Sequence, residues 1–291
     1  LRKAVRHYAD SCGKKYGVKE VFIMWGDLDT EPPEVGSFFE SNTRGGDMAK
    51  TQNQNRAKMT MVRLEKDSLN SRFTPVNDVD GDVVFTVDDD VRVDCPSLLK
   101  GFYAWKASPD SLVGYYPRLL GPPRVKRQDN SLVYYSWPTV LLRQQMNLVL
   151  TKASFMHEKY LRLYLSSVHP QEIRDYVDKN KNCEDIAMAM LIANQTKDEL
   201  GTPAFPIYVE GAVSDDGLFN GISRMKAGYM SSRSDCATDL TRIYLKHGWG
   251  SPLSHVAPLR ESSWIKHYPG YWWQAKPSNI FEWFAVQNVL T

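Results

Sequence analysis

The sequence predicts an α/β fold, with a mixed, mostly parallel central sheet flanked by helices. Three observations lead there. Two apolar runs read as strands: Val18–Trp25, which is short, and Asp82–Val87, which is continuous and β-branched, the pattern of a strand buried on both faces. Segments with helical apolar spacing alternate with such runs through the first two-thirds of the chain, the pattern of strands covered by helices. At 291 residues, 42% of them hydrophobic, the chain is long enough for one large domain with its own core.

Residues 1–16 read as a helix leading into the strand Val18–Trp25, and Gly26-Asp27 with Glu31-Pro32-Pro33 reads as a turn. Thr43–Gln54 is a polar, Gly-containing loop, and Arg56–Leu69 reads as a helix. The run DVVFTV, residues 82–87, is a buried strand stopped by Asp88-Asp89-Asp90. Asp94 can cap the next helix, with Pro96 in its first turn and Leu98, Leu99, Phe102 and Trp105 on one face.

Leu112–Tyr116 is a further strand, and Arg124–Asn130 a basic loop. Leu132–Leu150 is strand-rich, broken at Trp137-Pro138. Helices are expected at Glu158–Leu165, Pro170–Asp178, Glu184–Asn194 and Ser234–His247, with a Gly- and Asp-rich loop at Gly211–Gly221. From Gly248 the composition shifts toward Trp, Pro and His. The expected division is a domain over 1–250 and a Trp-rich extension, 251–291, packed on it.

Thirty-six Lys and Arg against 34 Asp and Glu leave a charge of +2, so no global attraction to nucleic acid is expected and any polyanion site must be local. The four cysteines contain no CxxC pair, which disfavours zinc-ribbon and thioredoxin-like readings; a disulfide is possible without being demanded. No run reaches the roughly 20 apolar residues of a membrane span. With no initiator Met, the chain is read as part of a longer protein.

The triplet is the main candidate site. Strand alternation would put Asp88 and Asp90 on one side, about 6 to 7 Å apart, and Asp89 on the other. Hard oxygen ligands suit Mg or Mn, and the carboxyl end of a strand is where ligands bind in open α/β sheets. A solvated acidic turn is the competing reading. Arg72, Arg118 and Arg233 flank the expected elements and carry the fork that suits phosphate, although surface arginines are common. Glu184 and Asp185 open a helix, where acids also serve simply to complement the dipole.

Ser68-Leu69-Asn70-Ser71-Arg72-Phe73, Val87-Asp88-Asp89-Asp90, Val113-Gly114-Tyr115-Tyr116-Pro117-Arg118, Ala153-Ser154-Phe155, Lys159-Tyr160-Leu161, Asn182-Cys183-Glu184-Asp185-Ile186-Ala187-Met188 and Arg233-Ser234-Asp235-Cys236 occur in that order. Together they resemble the glycosyltransferase domain of the exostosin family, including exostosin-like N-acetylhexosaminyltransferases and their plant relatives. The resemblance runs from Asn70 to Cys236, more than half of the chain. It implies a GT-A (Rossmann-like, nucleotide-sugar-binding) fold and Mn2+-dependent transfer, with retention, from a UDP-sugar of GlcNAc or GalNAc type to a glycan or glycolipid.

By position, the resemblance implies that Asp90 binds the metal, Asp88 and Asp89 hold the uridine-ribose and sugar side, and Arg72 contacts the nucleotide. Arg118 and Arg233 would address the donor sugar or diphosphate, with Glu184 among the substrate-binding residues. Asp185 would stand beside the anomeric centre as the catalytic carboxylate. Cys183 and Cys236 match a family disulfide, which needs an oxidising lumen. A place in the Golgi or endoplasmic reticulum lumen, in a single-pass membrane protein that can oligomerise, follows as an expectation.

The departures are Gly26, where the family usually has Asn after Trp25, and Glu184 in place of a commoner Asp. The family's opening strand has no counterpart, Glu34–Lys66 aligns poorly, and the likeness thins beyond Cys236. Two other classes compete with the enzyme: a donor- or sugar-binding module without catalysis, and a phosphohydrolase, which lacks an accompanying nucleophile or His cluster. Asn194-Gln195-Thr196 is the only glycosylation sequon, consistent with a secretory route.

Overall fold

The computed structural model describes residues 1–39, 54–76, 82–123, 131–217, 229–250, 252–253 and 256–259. Most of the expected Thr43–Gln54 loop, the Arg124–Asn130 loop, the end of Gly211–Gly221 and the tail tryptophans Trp264, Trp272, Trp273 and Trp283 lie outside the described residues.

The central sheet has four strands: β3 (Val83–Val87), β5 (Val113–Gly114), β10 (Ala153–His157) and β11 (Ile207–Tyr208), in the order β11-β5-β10-β3. Alternation along β3 shows why its sequence is continuously apolar. Val83, Phe85 and Val87 join one core cluster and Val84 the other, so both faces are covered. On β10, Ala153 and Phe155 face the first cluster and Met156 the second. The rings of Phe85 and Phe155 meet at 4.5 Å between centroids.

One face is covered by α1 (Arg2–Arg6), continued by a π-helical stretch His7–Cys12, and by α2 (Cys95–Ala107). Asp94 caps α2 as its sequence predicts, accepting a hydrogen bond from Ser97 N at 2.9 Å. A disulfide between Cys12 and Cys95 ties the two helical segments together. The other face carries α4 (Lys159–Leu165), α5 (Gln171–Asn180), α6 (Glu184–Leu200) and α7 (Tyr229–Lys246). Residues Glu184 to Asn194 of α6 are all buried, so α6 is a central helix with no solvent stripe at that end.

The sequon falls there: Asn194 is buried on α6, and Thr196 is bonded through its hydroxyl to Ile192 O. Among the described residues no helix is long and apolar enough to cross a membrane.

Several expectations change. Lys58–Arg63, expected to be helical, is strand β2, which pairs in parallel with β1 (Glu20–Trp25), Glu20 opposite Lys58 and Trp25 opposite Arg63. A neighbouring edge decided what the short KMTMVR run left ambiguous. The sheet is mixed, as expected, but not mostly parallel: β3 and β10 are antiparallel, and among the described pairings only β1 with β2 and β5 with β11 are parallel. Trp137-Pro138 does break a strand-rich segment, by opening helix α3 (Trp137–Arg143), Pro sitting in its first turn. Short strands at Pro117–Gly121, Ile207–Tyr208 and Ala257–Pro258 were not expected, nor were β4 (Val91–Val93) and, inside the Gly- and Asp-rich segment, β12 (Val213–Asp215), which pairs with β4.

Candidate active site

The triplet forms the turn leaving β3. Asp88 N donates to Lys152 O at 3.0 Å, and Val91 N closes back on Asp88 O at 3.1 Å. That turn makes the three carboxylates unequal. The Asp89 side chain is 66% exposed, Asp88 faces Arg72, and Asp90 has a buried Oδ1 with no hydrogen-bond partner. Burial, then the neighbouring Asp88 charge, pushes the Asp90 carboxyl above the usual carboxylate range. The three carboxylates of the triplet do not gather around one point, so what fits a hard divalent cation here is the orphaned Asp90 oxygen as a single donor.

Arg72 lies in the 3-10 turn Leu69–Phe73, which opens on Ser68 capping Asn70 N at 3.0 Å. Asn70 anchors that turn, its Nδ2 donating to Arg174 O at 3.0 Å and its Oδ1 accepting from Tyr164 Oη at 2.7 Å. From this support the Arg72 guanidinium reaches two acids at once, Glu184 Oε1 from Nη1 at 3.0 Å and Asp88 Oδ1 from Nη2. Burial alone would lower its pKa, but the Asp88 and Glu184 charges prevail and hold it above its ordinary value.

Glu184 and Asp185 form the first turn of α6. Cys183, just before them, has a left-handed φ of 80°, a conformation that costs a non-glycine residue about 1–2 kcal/mol and is held here by its bond to Cys236. The disulfide implied by the resemblance is thus present. Asp185 Oδ2 accepts from Arg233 Nη2 at 2.6 Å, and Arg233 Nη1 also reaches Asn182 Oδ1 at 3.0 Å. Burial, then the Asp185 charge, raises the Glu184 carboxyl.

A dipole-complementing pair at a helix end would be solvated and worth a few tenths of a kcal/mol. Here both acids are buried and each is met by an arginine from a distant segment, an arrangement that costs desolvation and so points to a site.

Arg72, Asp88, Asp89, Asp90, Glu184, Asp185 and Arg233 all border one cleft of about 1940 Å³, which continues between the edges of β1 and β3. Gly26 borders it as well. Arg118 does not: on β6 (Pro117–Gly121) it donates to Tyr134 Oη at 2.9 Å and to Pro117 O at 2.8 Å. Arg233 stands 4.7 Å over that same Tyr134 ring, so Arg118 supports the site from behind. The geometry also brings in residues that sequence reading missed. Lys152 Nζ and Tyr116 Oη donate to Asp215 Oδ2 at 2.7 and 2.8 Å. Their one sequence signal is position, Lys152 just before β10 and Asp215 in an acidic, glycine-rich segment.

The sequence matches the glycosyl transferase family 64 domain over residues 1–253. It is 34% identical to the glycosylinositol phosphorylceramide mannosyl transferase 1 of Arabidopsis thaliana over 81% of this chain and 66% of that protein. It is 31% identical to the glucosamine inositolphosphorylceramide transferase 1 of Oryza sativa subsp. japonica over 70% of this chain and 26% of that protein. Against human exostosin-2 the figures are 26% identity over 78% of this chain and 28% of that protein. The chain therefore spans under two-thirds to about a quarter of the length of these relatives. With the family match reaching both ahead of Asn70 and past Cys236, this chain belongs to glycosyl transferase family 64.

Proposed function

We propose that this chain is the catalytic part of a glycosyltransferase that moves a sugar, with retention, from a nucleotide diphosphate sugar, UDP-linked, to a glycolipid or glycan. The observation that carries the reading is Arg72, whose guanidinium joins Asp88 of the triplet to Glu184 beside Asp185, nearly a hundred residues later. Donor-binding acids and candidate catalytic carboxylate thereby face one cleft.

In this reading residues 1–250 form a GT-A nucleotide-sugar-binding domain, in the Golgi or endoplasmic reticulum lumen. Asp90 would hold a divalent cation, Mn2+, which when bound would supply positive charge against that of a diphosphate. Asp88 and Asp89 hold the ribose and sugar side, and Arg72 fixes Asp88 while reaching the nucleotide. Arg233 holds the Asp185 carboxylate in one orientation against the anomeric centre, where its charge stabilises an oxocarbenium-like state. The plant relatives are named for inositol phosphorylceramide substrates, which favours a glycolipid acceptor of that class.

The test is release of UDP from a panel of UDP-sugars, with Mn2+ or with EDTA, using the full-length protein. Mn2+-dependent turnover with one donor is expected. The absence of turnover with every donor, alongside intact UDP binding, would leave a binding module and sink the enzyme.

A further inference from the structure

We infer that Asp215 is a second protein ligand of the divalent cation at Asp90, an inference that rests on the cation-dependent reading above. The backbone brings the two together. β12 pairs antiparallel with β4, Asp215 opposite Val91, and Asp216 N donates to Asp90 O at 2.9 Å. The Asp215 side chain is only 2% exposed. Its Oδ2 is saturated by Lys152 and Tyr116, whereas its Oδ1 is buried without a partner, as is Asp90 Oδ1.

Gly217 shows that these carboxylates converge. A Cβ built there would lie 2.0 Å from Asp90 Oδ2 and 3.3 Å from Asp215 Oδ1, so both oxygens crowd one point and only glycine leaves it open. Two like charges this close, Asp215 buried and Asp90 partly so, repel each other unless a cation or a shared proton intervenes. Lys152 bonds Asp215 Oδ2 and its charge also acts on Asp90, so one ammonium is shared between two carboxylates. What is left is Asp215 Oδ1, partnerless on β12, facing the Asp90 carboxyl in the turn before β4, whose Oδ2 lies nearest and whose Oδ1 also lacks a partner. That is the donor set of a cation held by one or two carboxylates with its remaining positions left for phosphate oxygens and water.

The experiment is titration of Mn2+ into the full-length protein with UDP, reading free Mn2+ by its electron paramagnetic resonance signal. Asp215→Asn is expected to weaken Mn2+ binding about ten- to a hundredfold. Gly217→Ala keeps both carboxylates and fills the space between them; it should weaken Mn2+ binding in the same direction, and it carries the test if Asp215→Asn fails to fold. Wild-type Mn2+ affinity in Asp215→Asn, or in Gly217→Ala where that variant carries the test, overturns the inference. If Asp90→Asn alone loses the metal, the cation at Asp90 stands without Asp215. A wild-type protein that binds no Mn2+ with UDP overturns both.

Discussion

Arg233 donates from Nη2 to Asp185 Oδ2 at 2.6 Å, with the two side chains only 3% and 8% exposed. A buried ion pair of this kind is fragile in one direction. Removing one partner strands the other charge away from water, which costs more than the pair itself contributes. Arg233→Ala is therefore expected to destabilise the fold by about 3–5 kcal/mol, read from the midpoint of denaturant unfolding.

Asp185→Asn is the milder change, since the amide oxygen still accepts from Arg233. It should fold and bind UDP with Mn2+ nearly as the wild type does, while transfer falls by about a hundredfold or more. Isothermal titration and UDP release separate the two effects. Loss of UDP binding instead would remove Asp185 from the chemistry.

Arg72→Gln cuts the link between Asp88 and Glu184. Charge-assisted hydrogen bonds contribute about 1.5–3 kcal/mol each, so UDP affinity is expected to fall about tenfold or more as Asp88 loses its orientation. Calorimetry with UDP and Mn2+ measures this directly, and unchanged affinity would detach Arg72 from donor binding.

The two disulfides should separate stability from activity. Cys12 and Cys95 are 83 residues apart and Cys183 and Cys236 are 53 apart. Loss of either should cost about 2–5 kcal/mol, and loop length alone makes the difference between them only about 0.4 kcal/mol. Only the second holds the turn that presents Glu184 and Asp185. Cys12→Ser should thus lower the melting temperature and keep transfer at low temperature, whereas Cys236→Ser should lose both.

His169 is fully buried, its Nε2 2.6 Å from Tyr244 Oη and its Nδ1 3.0 Å from Tyr164 O. Burial pulls its pKa down from 6.5 to about 4. Between those values the unfolded chain binds a proton that the folded chain refuses, so stability rises with pH across the window and levels above it. The contribution lost on acidification from pH 7 to 4 is about 3 kcal/mol. Unfolding midpoints measured at several pH values should show a steeper loss in the wild type than in His169→Asn.

What was legible in the sequence was what local chemistry dictates. The β-branched run 82–87 could be little else than a buried strand, and Asp94 with Pro96 marked the start of α2. Lys58–Arg63 was misread because six residues carry too little periodicity, and β1, the edge that settles them, lies nearly forty residues earlier. Asp215 was invisible for a similar reason: its burial follows from pairing of β12 with β4, more than a hundred residues apart. The bond between Cys12 and Cys95 could be reached only by elimination, once the resemblance pairs Cys183 with Cys236, because spacing alone leaves three connectivities open. Arg72, Glu184 and Arg233 were singled out only through ordered motifs, and their contacts with Asp88 and Asp185 were not anticipated, because no spacing rule joins residues on different elements.

In a chain that met a glycosylating enzyme, Asn194 would set the order of events during biosynthesis. Once α6 has packed, its amide lies inside the molecule, bonded to Asp198, with the hydroxyl of Thr196 turned back on its own helix. An enzyme attaching an oligosaccharide needs that tripeptide extended and outside, so the folded chain is closed to it. A glycan at this position would be a time stamp, marking molecules that met the modifying machinery before their central helix docked, and its bulk would then bar those molecules from completing the core.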